Sequence, residues 1–288
     1  MKKDSLKYAL AVVLFGTIGM FLRWINLPSE IVVLCRGIIG TLVVWVVIRL
    51  QGKRVDLAAV KKNLPWLVLS GVSLGLNWIF LFAAYLHTSV AVASLCNYLA
   101  PVIVVVLAPL LYRERLGWKK LLCVACAVIG VFLISGVIGT TPETLNGIGI
   151  LFGLLAELGF VGIILCNRKL TGMNAYDKVI VQLAVSALTV LPYALVKNIG
   201  TPLVLDVRSV LLTLMLGLIH TGFAYCLYLD TLGKLPVHSV AVLGYIEPVV
   251  SVLCSVFILG EQMTVLGWIG AALIIGAAAA SELIKEQK

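Results

Sequence analysis

The sequence predicts an all-α membrane protein: ten transmembrane helices in two inverted five-helix repeats, residues 1–140 and 141–288. Three observations lead there. Hydrophobic residues make up 61% of the 288 and charged residues 12%, with a mean hydropathy of +1.12. That leaves too few polar side chains to clothe a water-soluble fold of this length. Ten apolar runs have the roughly 20-residue length that a helix needs to cross a bilayer core. Finally, a short pattern occurs twice. Tyr98-Leu99-Ala100-Pro101 recurs as Tyr245-Ile246-Glu247-Pro248, and each Pro is followed at the same interval by a Glu, Glu114 or Glu261. An internal repeat of this size makes half the chain the structural unit.

The runs cover residues 7–27, 29–50, 64–86, 89–111, 116–137, 147–167, 175–196, 209–230, 236–259 and 264–284. The loops between them are short, and none is long enough for a soluble domain. The first run follows Lys2 and Lys3 as a signal peptide would, but it is longer than an h-region and lacks an Ala-x-Ala site, so it reads as a retained helix. With the N-terminus inside, all but four of the 22 Lys and Arg residues fall on cytoplasmic segments. Arg23, Lys197 and Arg208 lie outside, and Arg36 lies within the second run. This asymmetry places both termini in the cytoplasm. Five crossings per half then oblige the halves to run in opposite directions. The charges agree: the turn Arg113-Glu114-Arg115 is basic, and its counterpart Gly260-Glu261-Gln262 has lost both arginines.

Several function classes fall away. The net charge of +9 comes from loop residues without an aromatic-interleaved patch, which suits a lipid surface and not nucleic acid. The seven cysteines all lie in apolar runs. Cys123-x-x-Cys126 has redox spacing but sits on a membrane helix with no second pair, so packing is the reading. No phosphate-binding glycine loop, nucleophile elbow or metal-binding histidine pair occurs, so neither a metal, nor a cofactor, nor ATP-driven transport is expected.

Polar residues inside the runs carry the functional signal. An ionisable group at mid-bilayer costs roughly 2.5–3.5 kcal/mol on insertion scales and normally faces a cavity or a partner. Glu157 and Glu247 are central in the sixth and ninth runs, Arg36 lies about two turns into the second, and Asn77 and His220 are central in the third and eighth. Arg23 and Asp230 stand near helix ends, where they are free to snorkel. Helical spacing puts Gly244, Glu247, Ser251 and Ser255 on one stripe, and Ser94, Asn97 and Pro101 on another. Small residues also let membrane helices pack closely, which is the reading for Ser94, Ser251 and the glycines. Packing does not explain the two glutamates, which are expected to face a cavity. Trp78 and Tyr225 are the deeper aromatics and are candidate substrate contacts. Pro101 and Pro248, at matching places in the two halves, are candidate hinges, since each deletes a helix hydrogen bond.

These features resemble an EamA-type member of the drug/metabolite transporter superfamily over essentially the whole chain. The shared marks are two five-span halves, Arg36 in span two, Pro101 and Pro248 in spans four and nine, the turns at Arg113-Glu114-Arg115 and Leu259-Gly260-Glu261, and Gly267 and Gly270 opening span ten. The first span departs from the pattern, reading Phe15-Gly16-Thr17-Ile18-Gly19 where relatives commonly carry a Trp-Gly pair. The resemblance implies transport of a small metabolite across the plasma (inner) membrane, with export favoured.

The residues and the resemblance together suggest a secondary transporter working by alternating access. Two buried acids against one deep arginine favour an ammonium-bearing substrate. If Arg36 reaches the cavity, an amino acid suits it; if Arg36 is structural, an organic cation does. A carboxyl stripped of water favours its protonated form, so Glu247 first and Glu157 second are the candidates for coupling transport to a proton. The alternatives are a passive facilitator or channel and a membrane-embedded enzyme. For the enzyme, the acid–base material would be His220 and Asp230, about 15 Å apart along one helix. The sequence leaves the oligomeric state open.

Overall fold

The computed structural model describes residues 2–100, 102–104, 106–107, 117–134, 147–200, 203, 205–231, 234–235, 240 and 243–283. They form a helical bundle, without a strand among the described residues. The helical segments are α1 (Lys2–Leu22), α2 (Ser29–Leu50), α3 (Leu57–His87), α4 (Val90–Cys96), α5 (Trp118–Ile134), α6 (Gly147–Asn167), α7 (Ala175–Lys197), α8 (Val207–Thr231), α9 (Ile246–Ile258) and α10 (Val265–Leu283). Six of them (α1, α2, α3, α6, α7 and α8) are long and apolar enough to cross a membrane, and shorter apolar stretches occupy α5, α9 and α10. The fourth apolar run is described as helix at α4 and at residues 102–104 and 106–107. Pro101 and the turn Arg113-Glu114-Arg115 lie outside the described residues.

Local chemistry sets the helix starts. Asp56 accepts hydrogen bonds from the Ala58 and Ala59 amides, so α3 begins at Leu57 and not at residue 64 as the hydropathy suggests. Ser89, Asn174 and Asp206 cap α4, α7 and α8 in the same manner. Outward-facing leucines and aromatics, among them Leu42, Leu122, Leu188 and Phe257, are exposed, as a bilayer exterior requires.

The packing exchanges elements between the halves. α2 lies on α7, α4 on α9 and α5 on α10; α3 packs against α6 and α7, just as α8 packs against α1 and α2. The like pairs are antiparallel. Gly37 faces Ala187 and Gly40 faces Leu183; Gly130 faces Ile274 and Gly270 faces Ile134. Side-by-side antiparallel partners taken from matching places in two repeats are what a twofold axis across the bundle generates. Lipid offers little hydrophobic drive for helices to associate, so close van der Waals contact must supply it. Glycines supply the closeness: a Cβ on Gly71 would stand 2.5 Å from the Val185 Cβ, and one on Gly159 would stand 2.9 Å from the Asn77 nitrogen.

This packing gives a stability test. Gly71→Ala should destabilise the purified protein by about 1–3 kcal/mol, the usual range for overpacking, seen as a lower melting temperature in detergent. Gly276→Ala, whose added methyl meets nothing among the described residues, should melt like the parent. Equal melting of the two variants would refute the close α3–α7 contact.

Candidate functional site: a cavity between the halves

A cavity of about 490 Å³ lies inside the bundle. Segments α1, α2, α3, α6, α7 and α8 wall it, together with α4 and α9 and the residues beside them. Among the described residues α5 and α10 contribute nothing to the wall.

Two broken helices form part of this wall. α4 stops at Cys96, Asn97 and Tyr98 turn, and helix resumes at Ala100. In the second half, Leu243 and Gly244 are helical, Tyr245 turns, and α9 starts at Ile246. Asn97, Tyr98, Gly244, Tyr245 and Glu247 all reach the cavity as a result. Pro248 lies in the first turn of α9, and the interruption stands three residues before it at Tyr245, on the side where a proline's missing amide hydrogen and its ring break a preceding helix.

Arg36 lines the cavity while remaining 3% exposed. Its guanidinium lies 4.4 Å over the Trp78 ring and 5.3 Å from the Phe82 ring centre. Its Nε donates to Thr221 Oγ1 at 3.1 Å. Thr221 belongs to a π-helical stretch of α8, Leu216–Phe223, and gives its own proton to the Leu216 carbonyl five residues back at 3.0 Å. With its proton given away, the Thr221 oxygen is left to accept from the arginine. Among the described residues no carboxylate lies within ion-pair distance of Arg36. Glu247 stands farther off, near enough for charge attraction, with the Tyr98 hydroxyl against it. α1 backs Glu247 closely at Gly16, where a Cβ would sit 2.6 Å from the Glu247 carbonyl oxygen.

Asn77, Asn97, Trp78 and Tyr225 share this wall. Asn77 Nδ2 donates to Asn97 Oδ1 at 2.9 Å and to the Ala156 carbonyl at 2.7 Å, tying α3, the break after α4, and α6 together. Glu157 and His220 are not on the wall. Glu157 is fully buried behind it, and among the described residues neither carboxyl oxygen has a hydrogen-bond partner. The Ala100 amide lies on that side without closing a bond. Glu157 was expected on the cavity face, but α4 covers it: Cys96 packs onto Gly153, one turn earlier on α6. His220 is buried against Thr17 Oγ1, 3.0 Å from its Nε2, with its ring edge on Phe21. Asp230 is engaged elsewhere, by Lys7 at 2.5 Å and Lys234 at 2.9 Å, so it and His220 form no acid–base pair.

Residue patterns missed other wall residues. Ser94 and Ser251, read as packing, bond each other at 2.6 Å across α4 and α9, and Tyr85 joins them at 3.2 Å. Tyr8, Tyr98 and Tyr228 line the cavity as well. So does Lys178, one helical turn before Gln182 on α7, a spacing that offered a signal.

The two ends of the bundle differ. At the end where α1 stops, Arg23 binds Glu261 at 2.8 Å and the Thr88 carbonyl at 2.7 Å. Glu261 in turn accepts from the Val90 amide at 2.8 Å and from Ser255. This cluster ties α1, α4 and α9 together beyond Ser94 and Ser251. The cavity instead reaches toward the end where α1 begins, at Tyr8, Asn167, Lys178 and Leu229.

The profile of the EamA-like transporter family matches residues 5–136 and again residues 147–281. The chain belongs to that family. A Bacillus subtilis (strain 168) protein named as an uncharacterized transporter, YxxF, is 28% identical over 98% of this chain and 90% of its own length. The pseudopaline exporter CntI of Pseudomonas aeruginosa is 26% identical over 58% of this chain and 57% of its own. A crystal structure sharing 23% identity superposes with a TM-score of 0.66 over 98% of both chains, a likeness of fold. This EamA-like protein is thus a multi-pass membrane transporter.

Arg36→Lys tests the geometry of the site. The ammonium keeps the charge but loses the planar stack on Trp78 and the bond to Thr221. If the substrate bears a carboxylate, affinity should fall roughly tenfold or more, and the melting temperature should fall too as the buried stack and hydrogen bond are lost. Unaltered affinity would show that the guanidinium does not contact substrate.

Proposed function

We propose that this protein is a secondary transporter that exports a small amphoteric metabolite of the amino-acid class by alternating access. The observation that carries the reading is one cavity between the halves with Arg36 and Glu247 both on its wall and unpaired with each other. An α-amino acid offers a carboxylate for the guanidinium and an ammonium for the glutamate. The organic-cation reading loses ground because Arg36 lines the cavity. The topology is ten spans in two inverted halves, supported by the antiparallel like pairs. The protein lies in the plasma membrane with both termini in the cytoplasm, as the Lys and Arg distribution favours. On that orientation the cavity reaches toward the cytoplasm, and the Arg23–Glu261 cluster closes the outer side. The name of the Pseudomonas relative supports export.

Proton coupling belongs to the same proposal. Glu247 is open to the cavity and exchanges a proton for the arriving ammonium; Glu157, buried and without a hydrogen-bond partner among the described residues, is the second candidate. Proteoliposomes containing this protein alone should accumulate amino acids against their gradient when a pH gradient is imposed. Glu247→Gln should abolish accumulation while leaving downhill exchange measurable. If Glu247→Gln and Glu157→Gln both accumulate fully, neither carboxyl carries the proton and facilitated diffusion takes precedence.

Alternating access requires the outer cluster to open. In a background with the native cysteines replaced, Arg23→Cys and Glu261→Cys together, bridged by a short bis-maleimide, should stop transport, and the unbridged pair should retain it. Undiminished transport after complete bridging would refute the gate.

A further inference from the structure

Lys178 carries its charge into the cavity with no acid of the described residues paired to it. It occupies the first turn of α7, half-buried, on the same wall as Asn167, Val179 and Gln182. Its neighbour Asp177 points elsewhere: that carboxylate takes the Asn174 side-chain amide at 2.5 Å and the Asp56 amide at 3.3 Å. Among the described residues no carboxylate stands within ion-pair distance of Lys178. Gln182 is held one turn away by bonds to Ser70 at 2.7 Å and Asn167 at 2.8 Å, which stiffens this part of the wall.

The charge balance of the cavity changes accordingly. The sequence alone suggests two acids against one arginine. The described wall carries one acid, Glu247, and two cations, Arg36 and Lys178, because Glu157 lies behind it. A cavity within a bilayer screens charge poorly, so a substrate that leaves one of these groups unmatched forfeits attraction. A solute with one ammonium and two carboxylates matches all three. The spacing fits as well. Ala187 packs at Gly37, level with Arg36, and Lys178 lies about 13 Å further along the α7 axis. An axial offset of this size is one that two long side chains and a short dicarboxylate between them can together cover.

We infer that Lys178 is a specificity-determining residue and that the transported class is the aminodicarboxylates, with the α-carboxylate on Arg36, the ammonium on Glu247 and the second carboxylate on Lys178. The inference rests on the reading of the cavity as an amino-acid site.

Exchange in proteoliposomes loaded with each compound separates the two. The probes are glutamate and 2-aminoadipate, matched against glutamine and norleucine. The parent protein should exchange the dicarboxylates roughly tenfold faster at low concentration. Lys178→Gln should bring that ratio close to one, and Lys178→Arg, which keeps the charge, should preserve it. Melting temperatures check that each variant is folded. A parent that favours glutamine or norleucine, or a ratio unmoved by Lys178→Gln, overturns the role of Lys178 and leaves the amino-acid site standing. Exchange of none of the four compounds by the folded parent overturns the amino-acid site itself, and this inference with it.

Discussion

A guanidinium held inside a membrane bundle, with no carboxylate of the described residues against it, is the condition around which the rest is arranged. Burying an unpaired charge is costly unless other groups replace its hydration. Around Arg36 that replacement is assembled from four elements. Trp78 and Phe82 present ring faces from α3, and Thr221 presents a hydroxyl from α8. The glycines of α2 let α7 and α8 close in: Gly37 meets Ala187, and a Cβ on Gly40 would stand 2.5 Å from Thr221 Cγ2. The remaining guanidinium surface is left for the cavity.

Much of this was legible in the sequence, and the limits are instructive. Membrane character and the repeat follow from composition and from one recurring tetrapeptide. Arg36 and Glu247 stood out because an ionisable group in an apolar run demands an explanation. Glu157 stood out for the same reason, yet it lies behind the wall. Hydropathy reports depth along a helix, and spacing reports a face, but neither reports which neighbour covers that face. Here α4 covers it, through the Cys96–Gly153 contact. Lys178 was missed for the complementary reason. A lysine near a helix end passes for a snorkelling loop charge, and only the tertiary placement of α7 turns it inward.

The broken helices show how local and global constraints meet. A proline breaks a helix on its N-terminal side, and in the second half the interruption stands at Tyr245, so that Pro248 occupies a first turn that needs no amide. The break then frees main-chain groups beside the cavity, which lipid would not tolerate on the outer face. The first half interrupts its helix at Asn97 and Tyr98, and Asn77 holds that break in place from α3.

The symmetry is used for scaffolding and abandoned for chemistry. Like helices pair antiparallel, and both broken helices reach the wall, so the halves contribute similar backbones. Their side chains diverge at the repeated tetrapeptide itself: Ala100 and Glu247 occupy matching places and both line the cavity. The arginine and its aromatic bed come from the first half, while the acid and the lysine come from the second. On the proposed reading, a substrate would bridge side chains drawn from both halves, and its binding energy would then favour one arrangement of the cavity-lining helices over another.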